Sequence, residues 1–134
     1  MEDITIRQLE EQSHALAKEK GWWDDIFVDQ TTKEVDDDAL MRLVPEKLAL
    51  LHSEVSEMLE EFRTARDIED LRYIGYGGDL DAPGKPCGFA IEAADLYIRL
   101  GDLLRVLGID GTEAVRTKHE YNKTREWRHG GKRA

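Results

Sequence analysis

The residues of this chain with most chemistry to offer are four carboxylates, set as two pairs on two separate helical stretches. In Leu48 to Phe62, LALLHSEVSEMLEEF, Glu54 and Glu57 are three apart; in Ile91 to Leu107, Glu92 and Asp95 are three apart. On a helix that spacing puts both side chains of a pair on one face, within reach of a shared ion. Carboxylate oxygens are the hard ligands that magnesium prefers, with water and substrate phosphates completing an octahedron. Glu61 falls on the same side as Glu54 and Glu57 and is a third ligand candidate, whereas Glu60 points elsewhere, towards solvent. Two acidic pairs facing each other across a helical bundle would hold magnesium for phosphate chemistry.

A solitary Glu-x-x-Glu says little, because exposed helices are full of such pairs. The second pair says more. Glu92 and Asp95 lie in the most apolar helix of the chain, where unpaired buried charges are strongly unfavourable. They need cations beside them: Arg99 satisfies one, a metal both. The arrangement that needs no ligand is a buried salt-bridge network of Glu92, Asp95, Arg99 and Asp102.

Positive charge collects near the end of the chain. Lys118, Asn122, Arg125 and His129 are spaced i, i+4, i+7, i+11, which lines them along one face if the helix extends that far. Cation, amide donor and cation suit a polyphosphate on the side away from the metals. The competing explanation is the preference of helix C-termini for Lys and Arg. Gly130, Gly131 and Lys132 either fray or fold over a phosphate.

The elements that must position these groups follow from periodicity. Ile4 to Lys20 reads as an amphipathic helix with Gly21 as its C-cap. Trp22, Trp23 and Phe27 then crowd together, either closing the end of a core or lining a pocket. Asp36 to Asp38 suits the start of a helix. Pro45 suits the first turn of a long helix to about Arg66, in which Leu48, Leu51, Val55, Leu59 and Phe62 form one buried stripe. Asp67 to Gly88, rich in glycine and proline, reads as a long loop with one turn of helix around Ile68 to Tyr73, placed to cover the site. Phe89 to Leu107 is a third long helix, with Leu96, Leu100, Leu103 and Leu107 on one face and Ile91 and Ile98 on another, expected to be buried nearly all round. Gly108 ends it, and Asp110 or Thr112 caps a fourth helix to about Trp127.

Composition narrows the class. The 134 residues make one ordinary domain. A formal net charge of −10 argues against a nucleic-acid binder. The single cysteine, Cys87, excludes an internal disulfide framework and fits a reducing, cytoplasmic setting. MEDITIRQLEEQ lacks the basic and apolar regions of a signal peptide, and no apolar run approaches the ~20 residues of a membrane span.

PEKLALLHSEVSEMLEE, GKPCGFAIEAADLYIRLGDLL and KHEYNKTREWRHGGK, with the GWWDD region, resemble the MazG-like nucleotide pyrophosphohydrolases of the all-α NTP pyrophosphatase superfamily. The resemblance covers most of the chain from Gly21 onward and rests on Glu54, Glu57, Glu92 and Asp95. It implies a four-helix-bundle-like all-α fold, with a long loop between the two metal-binding helices, over residues 1–134. It further implies cleavage of a nucleoside triphosphate, taken here as a dNTP, to monophosphate and pyrophosphate, in a nucleotide-pool role. Two or more Mg²⁺ ions, for which Mn²⁺ can substitute, would sit on Glu54, Glu57, Glu61, Glu92 and Asp95. Glu54 or Glu57 would orient the attacking water. Lys118, Asn122, Arg125 and, more weakly, Tyr121 would hold the phosphates. Trp22, Trp23 and His14 are candidates for stacking on the base. Family members are usually dimers or dimers of dimers whose subunits complete each other's pockets, so a homodimer or homotetramer is expected.

Three other readings compete. One is a related enzyme acting on phosphoribosyl-ATP. Another is a non-catalytic acidic interaction module. The third is a di-iron bundle, for which Glu11/His14 and Glu126/His129 have the Glu-x-x-His spacing.

Overall fold

A computed structural model of the chain describes residues 2–77 and 84–127. It is mainly helical, with α1 (Ile6–Glu19), α2 (Asp37–Thr64), α3 (Ile68–Arg72), α4 (Phe89–Val106) and α5 (Gly111–Lys123). Two small antiparallel hairpins complete it, β1 (Phe27–Asp29) with β2 (Glu34–Val35) and β3 (Gly75–Gly77) with β4 (Lys85–Cys87). Helices α1, α2 and α4 pack together; α5 rests on α1, while α3 and β4 lie against α4. None of the described helices is long and apolar enough to cross a membrane.

Local chemistry accounts for most boundaries. Thr5 and Gln8 form a reciprocal capping box at the start of α1. Asp36, Asp67 and Asp110 each accept backbone amides at the starts of α2, α3 and α5. Before α4 stands Gly88 at φ 114°. This position is open to glycine alone, because a Cβ would also lie 3.0 Å from the Tyr73 carbonyl oxygen.

Several expected boundaries move. The helix expected to start at Pro45 starts at Asp37 instead, with Pro45 inside it. A proline in a helix interior is unfavourable by about 3 kcal/mol, since it removes one ladder bond and crowds the preceding turn. Here Leu40 and Leu43 on one side of the ring and Leu51 on the other all pack into the core, which holds the helix continuous across it. The segment expected as a loop from Asp67 to Gly88 contains α3, as foreseen, and also the β3–β4 hairpin; residues 78–83 lie outside the described region. α5 ends at Lys123 rather than near Trp127: the Thr124 hydroxyl donates to the Tyr121 carbonyl and the Arg125 amide to Asn122, tightening the turn.

The core sits at one end of the bundle. Among the described residues Ala17 of α1, Trp23 and Ile26 of the connection, Leu40 of α2 and Leu103 of α4 are the buried hydrophobics, with Leu51, Val106 and Leu107 packed against them. Away from that end the largest correction appears. Leu48, Val55, Leu59 and Phe62 do not form a buried stripe; each is 45–56% exposed. Nor is α4 enclosed all round, for Tyr97, Ile98 and Leu100 are exposed as well. The reason is that α2 turns a mixed face inward, with Leu51 on the core and Glu54 towards α4, rather than the whole apolar stripe. Glu54 is only 7% exposed.

Candidate metal centre

The acidic face of α2 and the polar stripe of α4 meet along one seam. On α2 the positions 47, 50, 54, 57 and 61 follow one another at helical spacing, and on α4 so do 92, 95, 99 and 102. Where the two stripes meet, one carboxylate oxygen each from Glu54, Glu92 and Asp95 lie within 4.8 Å of one another. Among the described residues this is the one such group of three potential metal ligands. Three hard oxygens from two helices are a donor set suited to magnesium.

The electrostatics of the group are repulsive. Partial burial, then Asp95, Glu54, Glu57 and Glu61, push the Glu92 carboxyl above its ordinary value. Partial burial and Glu54 push Asp95 up too, against a downward pull from Arg99 and from Lys85 of β4. Arg99 supplies positive charge beside the group, its Nε forming an ion pair with Glu54 Oε1 at 2.7 Å. That guanidinium is half exposed whereas Glu54 is buried, so it neutralises one of the three carboxylates from the solvent side.

Glu57 and Glu61 are not in the ligand triple. Glu57 is exposed and Glu61 half-buried, yet the charges of both reach Glu92. The salt-bridge network expected within α4 forms differently. Arg99 crosses to Glu54 on α2, and Asp102 turns to the other side, accepting from His14 Nδ1 at 2.8 Å and from Trp23 Nε1 at 2.8 and 3.0 Å. His14 is bonded to Asp102 and edge-on to Trp23, and neither it nor Glu11 belongs to a group of three potential metal ligands among the described residues. Glu126 lies beyond the end of α5 and His129 outside the described residues.

Beside the carboxylates opens a cavity of about 420 Å³, whose wall includes Asp95, Arg99, Asp102, Lys47, Trp22 and Trp23. The two expectations for the tryptophans are therefore not exclusive. Trp23 is 1% exposed and belongs to the core while also forming cavity wall; Trp22 is 61% exposed and stands at the cavity alone. Lys47, whose ammonium lies 4.6 Å from the Trp23 ring centre, was not foreseen. Its signal was there: it precedes Glu54 by two helical turns on the same face.

Lys118, Tyr121 and Asn122 project from α5 into solvent, with the Lys118 ammonium 4.9 Å from the Tyr121 ring. Arg125 lies past the helix end, so the expected four-residue stripe reduces to Lys118 and Asn122, with His129 and the 130–132 tail outside the described residues. Among the described residues no hydrogen bond or ion pair ties this basic group to the carboxylates. Comparison with protein-family models, with curated proteins and with solved structures finds no match to the chain.

Proposed function

We propose that this chain is a magnesium-dependent nucleoside triphosphate pyrophosphohydrolase of the MazG-like, four-helix-bundle-like type, releasing pyrophosphate from a dNTP. One observation carries the reading. Glu54 meets Glu92 and Asp95 in a half-buried group whose mutual repulsion a divalent cation would relieve. Bound magnesium would supply charge neutralisation at phosphate oxygens and a lowered pKa for the attacking water. The residues around it do the rest. Glu54, Glu92 and Asp95 hold the ion. Glu57, exposed and, like Glu61, outside the ligand triple, is the carboxylate assigned to orient a water and take its proton. Arg99 and Lys85 stand at the edge of the group, where added phosphate charge would be balanced.

The test is a panel of canonical and modified nucleoside triphosphates assayed for pyrophosphate with Mg²⁺ and with chelator. Metal-dependent release from at least one dNTP is the expected result. No release from any of them would overturn the reading, and release from phosphoribosyl-ATP alone would transfer the chain to that substrate.

The outward stripe of Leu48, Val55, Leu59 and Phe62 supports an oligomer. A contiguous apolar helix face of this kind marks an interaction surface, and only five hydrophobic residues are buried among the described residues. A second copy laid on the stripe would bury it. Sedimentation at micromolar concentration is expected to give a dimer or tetramer, and Val55→Lys with Leu59→Lys to shift it towards monomer. A wild-type monomer would sink the assembly.

A further inference from the structure

The cavity beside the carboxylates has two chemically different ends. Asp95 belongs both to the cavity wall and to the ligand triple, so that end opens on the metal centre. Asp102 lies seven residues further along α4, two helical turns or about 10 Å away, and there Trp23, bonded to it, forms part of a wall that also includes Trp22. A phosphate tail held at the first end leaves a sugar and a flat ring to reach the second.

The second end is a built acceptor in an aromatic slot. Asp102 is held from behind, its Oδ1 accepting from both His14 Nδ1 and Trp23 Nε1 and its Oδ2 accepting from Trp23 Nε1 alone, at 3.0 Å. A carboxylate offers about four acceptor sites, so capacity remains on Oδ2. Of the cationic groups of the wall, Arg99 is paired with Glu54, and the Lys47 ammonium rests on the face of the Trp23 ring. A carboxylate accepts hydrogen bonds and cannot donate them. An amino group arriving at Oδ2 makes a charge-assisted hydrogen bond, whereas a carbonyl oxygen in the same place meets another oxygen.

We infer that this cavity takes the nucleobase and that Asp102 selects bases carrying an exocyclic amino group over their carbonyl counterparts. The inference rests on the nucleotide reading above and names its substrate class. Asp102 acts on specificity, with no part in the hydrolytic step. Trp22, exposed at the mouth, supplies the stacking surface.

The experiment compares pairs that differ by one group: dCTP against dUTP, and dATP against dITP. The wild-type protein is expected to favour the amino member of at least one pair by about tenfold or more in kcat/KM. Asp102→Asn, which can turn an amide N–H towards the ring, is expected to bring that ratio near one or invert it, with pyrophosphate still released. Near-UV circular dichroism of the tryptophans reports whether the Asp102→Asn protein keeps Trp23 in place. If it does not, the wild-type ratios decide the matter without the variant. Equal turnover of both members in both pairs overturns the inference while leaving the hydrolase reading intact. An unchanged ratio in a folded Asp102→Asn protein overturns it too. If no triphosphate is cleaved, the hydrolase reading fails separately. Quenching of tryptophan fluorescence by dCMP against dUMP and by dAMP against dIMP then decides the pocket alone: preference for an amino member supports it, and equal or absent quenching overturns it.

Discussion

Glu92→Gln is expected to lower pyrophosphate release by about 10²-fold or more and, with chelator present, to make the protein more stable rather than less. The two effects have one cause. In the folded chain Glu92 is pressed by burial and by the carboxylates of Asp95, Glu54, Glu57 and Glu61, which raise its pKa above the ordinary value. In the unfolded chain it titrates near the usual value of about 4.3. As pH rises from there through the raised folded value, the unfolded chain has released a proton that the folded chain still holds. Stability therefore falls across that window and stays lowered above it. Glutamine has no charge to repel, so the variant lacks that part of the decline. Asp70 and Asp110, held below the ordinary range mainly by Arg66 and by the Glu113 amide, lose stability in the opposite direction, as pH falls. They are common to both proteins and cancel in the comparison. The measurement is Tm against pH in EDTA, where the variant should gain about 1–3 °C at neutral pH, kept small by solvent screening of a half-buried site. Millimolar Mg²⁺ should raise the wild-type Tm and leave the variant's nearly unmoved. Full turnover in the variant, or a lower Tm in EDTA, would show that Glu92 is not part of a metal centre.

Trp23→Ala and Trp22→Ala should differ sharply although the residues are adjacent. Trp23 is 1% exposed, packs with Ala17, Ile26, Leu40 and Leu103, and gives its indole N–H to Asp102. Truncating a buried aromatic of this kind destabilises by about 3–5 kcal/mol, a large share of the roughly 5–15 kcal/mol that holds a domain together. The loss of the indole donor also leaves Asp102 with His14 alone. A drop in Tm of about 10–20 °C is expected by far-UV circular dichroism. Trp22 is 61% exposed, and its removal should change stability by no more than about 0.5 kcal/mol while weakening nucleotide binding. Equal melting of the two variants would contradict the placement of Trp23 as the anchor of the core.

Residue spacing was sufficient to find the helices, though not all of their ends, and the pairing within each. Asp36, Asp67 and Asp110 cap where their residue type suggests, and Glu92 shares a face with Asp95 because three residues along a helix bring side chains together whatever the rest of the chain does. The hairpins were less visible: β1–β2 is only a few residues long, and β3–β4 lies in a glycine-rich stretch without alternation. Pro45 misled because its local preference for a helix start was overridden by leucines packing on both sides of it.

The sequence by itself therefore determined which carboxylates stand together on each helix, since intrahelical geometry is set by hydrogen bonds between near neighbours. Only the tertiary structure decided that α2 turns Glu54 inward and leaves Leu48, Val55, Leu59 and Phe62 outside. Periodicity finds the two faces of an amphipathic helix but carries no rule for which face meets a given neighbour. The tertiary structure also decided that Arg99 pairs with Glu54 and that Asp102 faces Trp23 and His14, residues 79 and 88 positions away in the chain. Contacts at such separations depend on how all the helices pack at once, and nothing local to either residue specifies them.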